Sequence, residues 1–152
     1  MADWFVSTIT NKLDAKGRVS VPASFRSVLA GQGTEGLYCI KALSRQPALT
    51  GFGETLLSKL SAQMDSPNPL LDKNYAARAF GMFGQVRNLL IDDEGRVRLP
   101  DDFIAHCGIT DRVAFLGLNA TFEIWNPEAL AVETEKRMAD VYAAYDASGE
   151  IA

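Results

Sequence analysis

The chain has 152 residues, 47% of them hydrophobic, and a mean hydropathy of -0.01, enough apolar material for a real core and too much for a disordered chain. No apolar run approaches the ~20 residues that span a bilayer, and Met1-Ala2-Asp3-Trp4 lacks the basic start and apolar stretch of a secretory signal, so a cytosolic protein with no membrane contact is expected. The net charge of -4 hides a gradient: residues 1–46 hold six Lys/Arg against three Asp/Glu, residues 47–100 six against six, and residues 101–152 three against ten. A cationic N-terminal third bears more on the choice of partner than the total does.

From the N-terminus, Phe5 to Leu13 is rich in Val, Thr, Ile and aromatic residues, and Arg18 to Val21 alternates polar with apolar, so both predict strands. Between them Asp14 to Gly17 predicts a tight turn, in which Asp accepts backbone amide hydrogen bonds and Gly supplies a positive φ. Pro22 ends the strand and sits where a short helix, Ala23 to Leu29, can begin without an orphaned amide. Leu37 to Ala42 and, more weakly, Leu49 to Phe52 predict two further strands. Leu56, Leu57, Leu60 and Met64 form a helical stripe, Ser66-Pro67-Asn68-Pro69 breaks the chain, and a helix of roughly Leu70 to Phe80 follows. Then come strands at Gln85 to Ile91 and Arg96 to Leu99, a helix at Asp101 to Cys107, strands at Val113 to Leu118 and Thr121 to Trp125, and a last helix striped by Leu130, Met138, Val141, Tyr142 and Tyr145. Such stripes ordinarily serve as core or subunit contact surface.

This order of elements occurs twice because the sequence does. Asp14-Ala15-Lys16-Gly17-Arg18-Val19-Ser20-Val21-Pro22 returns 78 residues later as Asp92-Asp93-Glu94-Gly95-Arg96-Val97-Arg98-Leu99-Pro100, and Phe5 to Phe25 matches Phe83 to Phe103 at seven of 21 positions. Ordinary composition gives roughly one such match. Two copies of this length predict halves that share one core rather than an open array. If Phe52 matches Trp125, the offset has fallen to 73, which predicts five extra residues in the last hairpin of the first copy, at Ser44 to Pro47.

The Asp-x-x-x-Arg turn followed by Val-x-Val-Pro or Val-x-Leu-Pro, twice at this separation, with Ala79-Phe80-Gly81-Met82-Phe83 between, closely resembles the MraZ proteins, tandem members of the wider AbrB-like group. The resemblance runs from about Trp4 to Tyr142. It implies a mainly β fold with peripheral helices (α+β), in which two tandem AbrB-like repeats form one double-split, swapped-hairpin β-barrel. It also implies a ring-shaped homo-oligomer and a bacterial transcriptional regulator of the cell-division and cell-wall gene cluster, binding short G-rich direct repeats of double-stranded DNA upstream of that cluster. On this basis residues 8–55 are the first repeat, 56–85 a helical connector, 86–129 the second repeat and 130–152 the C-terminal helix and tail. Two departures stand out: Gly51-Phe52-Gly53 replaces the proline that relatives often carry before the following helix, and Asp93-Glu94 stands where the first turn has Ala15-Lys16.

Arg18 has two uses open to it. On a rigid hairpin its guanidinium can donate two parallel hydrogen bonds to guanine O6 and N7 in the major groove, or it can pair with Asp14 and brace the turn. The resemblance implies DNA contact for Arg18 and, less firmly, Arg96. Lys12 and Lys16 suit phosphate contacts or ordinary solvated surface, and Arg98 partly offsets the acidic second turn. Asp14, Gly17, Asp92 and Gly95 are the turn-forming residues. From Asn11 to Ser20 three basic side chains face one acidic, whereas Leu90 to Leu99 has two against three, so the first turn is expected to approach a polyanion more readily.

Catalysis is not expected. His106 is the only histidine and lies beside Cys107, a pair whose side chains do not face each other in a helix or a strand. Asp92-Asp93-Glu94 lacks the spaced oxygens of a calcium loop. Cys39 and Cys107 have no C-x-x-C partner and are expected reduced and buried, with no disulfide and no zinc. No cofactor, metal or small-molecule substrate is expected. The reading is a cytoplasmic, nucleoid-associated DNA-binding regulator. The alternatives are a protein-binding module of the AbrB-type antitoxin kind, suited by the acidic stretch from Glu128 to Glu150, and a ring scaffold without DNA binding.

Overall fold

Each half of the chain contributes strand, strand, helix, strand, strand and helix in the computed structural model, which describes residues 3–148. The first half holds β1 (Thr8–Lys12), β2 (Arg18–Ser20), α1 (Ala23–Gly31), β3 (Gly36–Lys41), β4 (Ala48–Phe52) and α2 (Glu54–Ala62). A short helix α3 (Lys73–Arg78) and a π-helical turn (Ala79–Phe83) lead to the second set: β5 (Arg87–Leu90), β6 (Arg96–Arg98), α4 (Asp101–Cys107), β7 (Arg112–Leu118), β8 (Thr121–Trp125) and α5 (Pro127–Ser148). The fold is mainly β with helices around it.

Six strands form one antiparallel sheet in the order β1-β7-β8-β4-β3-β5, and β2 pairs with β6 in a separate antiparallel ribbon. The halves interleave: β1 pairs with β7 of the second repeat, and β5 with β3 of the first. Among the described residues no ladder closes the six strands into a complete barrel. Instead the ribbon joins the two sheet edges, because β1 turns into β2 and β5 turns into β6.

The register exposes an approximate twofold axis. In the ribbon Val19 lies opposite Val97, its own counterpart 78 residues on. Across the sheet Thr50 lies opposite Glu123, its counterpart at an offset of 73. Flanking hydrogen bonds obey the same relation: Val21 N donates to Gly95 O at 2.9 Å, and Leu99 N donates to Gly17 O at 2.9 Å.

That register corrects the placing of the five extra residues. β1 pairs with β7 with Thr8 opposite Leu116, and β5 with β3 with Gly36 opposite Leu90, which fixes the offset between β3 and β7 at 76. Two of the five therefore lie between α1 and β3, and only three in the hairpin, where Leu43 to Pro47 replaces Asn119-Ala120. The helix expected at Leu70 to Phe80 is also displaced. Asp72 starts it by accepting hydrogen bonds from Asn74 N and Tyr75 N at 2.9 and 3.1 Å, which leaves Leu70 and Leu71 outside and exposed. The first strand is shorter than Phe5 to Leu13 because Ser7 adopts a φ of 74°.

Inward residues of ribbon and sheet share one core. Val19, Val21, Val97 and Leu99 meet Leu37, Leu49, Val113 and Ile124, all at most 1% exposed. One end is aromatic, with Phe5 against Phe122 at 4.8 Å and against Phe25 at 5.3 Å between ring centroids. Only Leu130 of the long α5 is buried, and it joins Trp125 and Ala114 in a second, smaller cluster. The start of α2, where the expected proline is missing, is capped from a distance. Thr34 Oγ1 accepts from Glu54 N at 2.9 Å, and Gln32 Oε1 accepts from Thr55 N at 3.2 Å.

Candidate nucleic-acid interface

Both turns are built alike. Asp14 Oδ1 accepts from Lys16 N at 2.9 Å and Arg18 N at 2.8 Å, while Gly17, at φ 79°, donates its N–H to Asp14 O at 3.1 Å. Asp92 Oδ1 accepts from Glu94 N and Arg96 N at 2.9 Å each, and Gly95, at φ 81°, donates to Asp92 O at 3.0 Å. A side chain resists that positive φ, which explains the two glycines. The backbone N–H groups of Arg18 and Arg96, foremost, hold the Asp14 and Asp92 carboxyls below the usual carboxylate range.

The arginines that close these turns differ in their freedom. Arg18 donates from Nε to Asp14 Oδ2 at 2.8 Å, and among the described residues no hydrogen bond engages its two terminal nitrogens. The brace and the DNA contact are therefore compatible uses, since the brace takes one edge of the guanidinium and leaves the other for a ligand. Arg96 is held twice, by Asp92 Oδ2 at Nε, 3.3 Å, and by Glu94 Oε2 at Nη2, 3.4 Å.

The ribbon brings together side chains that lie 78 residues apart. Strand alternation turns Val19 and Val97 inward and leaves Arg18, Ser20, Arg96 and Arg98 on the outer face. Arg18 lies directly opposite Arg98, and Ser20 opposite Arg96. Like charges facing across a ladder oppose folding, and Arg18 opposite Arg98 is one such pair. Arg98 is exposed and makes no ion pair among the described residues. Lys16 extends this patch at the first turn. Lys12 lies on the outward face of β1, opposite Arg112 of the six-stranded sheet and next to Leu13, which bridges Val19 of the ribbon.

Sequence reading missed Arg26. It sits on α1, donates from Nη1 to Val21 O at 2.9 Å, and packs its guanidinium against Gly95 of the second turn. Its counterpart on α4 is Ile104, which packs against Gly17. An arginine where the other copy has isoleucine was a visible signal, but only the crossed packing of α1 under the second turn gives it a place.

The groups considered for catalysis are occupied structurally. His106 Nε2 lies 3.2 Å from Ala48 O. Cys39 and Cys107 are free and buried, and burial pushes both thiols up, Cys107 to about 12. Among the described residues no cluster of three or more His, Cys, Asp or Glu could hold a metal ion, and no helix is long and apolar enough to cross a membrane.

With this geometry the chain can be set beside known proteins. It is 48% identical over 128 residues to the transcriptional regulator MraZ of Xanthobacter autotrophicus, covering 84% of this chain and 80% of that protein. The chain belongs to the MraZ family. The MraZ of Azorhizobium caulinodans is 43% identical over 126 residues, 83% of this chain and 79% of the relative, and that of Pelagibacter ubique 40% over 126 residues, 82% and 79%. The family profile described as "MraZ protein, putative antitoxin-like" matches residues 82–136, the stretch from the π-helical turn into α5. These MraZ relatives carry the name transcriptional regulator.

Proposed function

We propose that this chain is a sequence-specific DNA-binding transcriptional regulator that presents the β2–β6 ribbon to double-stranded DNA. The observation that carries the reading is the gathering of Arg18, Arg96 and Arg98 on one outward face, at the cost of a like-charge pair. A two-stranded ribbon fits the major groove, where a guanidinium reads guanine bidentately. Arg18 is the base-reading residue. Lys16 is a phosphate contact beside it, Lys12 another on β1, and Arg96 and Arg98 give weaker support. The relatives are named transcriptional regulators, which supports the regulator reading.

One ribbon carries few charges for tight binding, so the working form is a ring-like homo-oligomer, each subunit engaging one of several short direct repeats upstream of its own operon. Apolar surface left uncovered on the protomer supports assembly: Leu43, Val132 and Tyr142 are all more than half exposed, and Ile40, Phe52, Leu56, Leu60 and Met82 line an open groove of about 340 Å³. The regulator would work in the cytoplasm, on the nucleoid. A second reading, a protein-binding module of the antitoxin kind, draws on the family's description and on α5, whose five acidic residues against two basic suit a cationic partner.

Fluorescence anisotropy with a duplex from immediately upstream of the gene, against a shuffled duplex across a salt series, tests the proposal. Tighter binding to the upstream duplex, weakening steeply with salt, is the expected result. Equal and feeble binding to both would leave the scaffold or the protein-binding module.

A further inference from the structure

The approximate twofold axis through Val19 and Val97 exchanges Arg18 with Arg96, so the two directions of the ribbon on a duplex differ only where counterpart residues differ, as at Ser20 against Arg98. The turns widen that difference by reversing charge at one pair of positions, Lys16 in the first and Glu94 in the second. We propose that Glu94 competes with DNA phosphate for Arg96, so that backbone contact is confined to the Lys16 side of the ribbon and each subunit lies on DNA in one direction. This rests on the ribbon being the DNA face.

Three observations carry it. Glu94 Oε2 lies 3.4 Å from Arg96 Nη2, the kind of nitrogen that Arg18 leaves unoccupied. The carboxylate is not needed by the turn, because Glu94 contributes there through its backbone N–H to Asp92 Oδ1 at 2.9 Å, a bond that any residue but proline supplies. The Glu94 side chain is also 72% exposed, so its pair with Arg96 is weak and exchangeable. It is strong enough to keep Arg96 Nη2 from an approaching phosphate and too weak to matter for folding. Asp92 alone keeps Arg96 oriented, as Asp14 does Arg18.

The test compares Glu94→Gln and Glu94→Lys with Glu135→Lys, a charge reversal at an exposed residue of α5, by anisotropy on the upstream and shuffled duplexes across a salt series. Glu94→Gln should bind the shuffled duplex about two- to fivefold more tightly at low salt, the scale of one exposed ion pair. The slope of log affinity against log salt should steepen by about one per engaged subunit. Glu94→Lys should gain more, and Glu135→Lys less than twofold. In an Arg96→Ala background the gain from Glu94→Gln should vanish. A gain that survives there, a Glu135→Lys effect equal to that of Glu94→Lys, or no gain at all overturns the proposal. Arg18→Ala separates the two levels: if it weakens DNA binding while Glu94→Gln changes nothing, only the role of Glu94 falls, and if DNA binding is indifferent to Arg18→Ala, the ribbon reading falls and takes this one with it.

Discussion

The two turns share a backbone almost bond for bond, yet one holds its arginine by a single edge and the other by two. Asp14 and Asp92 accept the same pair of amides, so the repeated sequence is explained by folding alone. What distinguishes the turns lies in residues that the turn does not need: Lys16 against Glu94, and Ile104 packed beneath the first turn against Arg26 beneath the second. The two copies agree where the backbone requires a residue and differ at the remaining positions. The first turn is the more cationic, and the second is partly self-neutralised.

The largest effect comes from separating the copies. Residues 1–80 alone lose the partners of β1 and β2, which are β7 and β6, and a sheet left with open, apolar edges is not stable at this size. The fragment should show no cooperative thermal transition as a soluble monomer. A sharp transition would make the copies independent domains.

Next come the matched phenylalanines. Phe5 is 1% exposed within the aromatic cluster, whereas its counterpart Phe83 is half-buried at the end of the π-helical turn. Phe5→Ala should cost about 3 to 5 kcal/mol by denaturant unfolding and Phe83→Ala about 1 or less. Equal costs would show that the second end has an aromatic core that the register does not give it.

The sequence revealed the duplication, the strands and both turns, because these depend on local alternation and on residue types with one backbone use, such as Gly17 and Gly95. It did not reveal pairing. Which strand meets which is decided by contacts roughly a hundred residues apart, such as Thr8 with Leu116, and only those contacts place Arg18 beside Arg98 and Arg26 beneath Gly95. The caps of α2 were hidden for the same reason, as Gln32 and Thr34 lie about twenty residues before the amides they bind. The two-residue loss before β7 was masked by a hairpin whose total length difference was already visible.

A smaller contrast concerns the glycines. Gly17→Ala and Gly95→Ala both force a side chain into the left-handed region, at roughly 1 to 2 kcal/mol each. The new methyl at Gly95 also meets the Arg26 guanidinium, whereas at Gly17 the nearest atoms lie 3.5 Å or more away. Gly95→Ala should therefore lower the thermal midpoint further, and Arg26→Ala should narrow the gap. The smallest effect is acidic. Asp14 and Asp92 titrate below their unfolded value of about 3.9, so their bonds stabilise the fold fully above that pH and are lost as pH falls through the lowered native values. Carboxyl chemical shifts should show both midpoints depressed, with the turns unchanged from pH 5 to 8. A midpoint at or above 3.9 for either would contradict the hydrogen bonding described.

The direct test of the ribbon is the affinity of Arg18→Ala, Lys16→Ala and Arg96→Ala, each verified as folded and as associated as the parent, for the upstream duplex and a shuffled one. Arg18→Ala should cost about 1 to 3 kcal/mol per engaged subunit on the upstream duplex and little on the shuffled one, because a bidentate base contact is lost. Lys16→Ala should weaken both alike and flatten the salt slope by about one per subunit, and Arg96→Ala should do less than Arg18→Ala. Upstream-duplex affinity unchanged by Arg18→Ala would reduce that arginine to a brace on Asp14 and move the DNA face elsewhere.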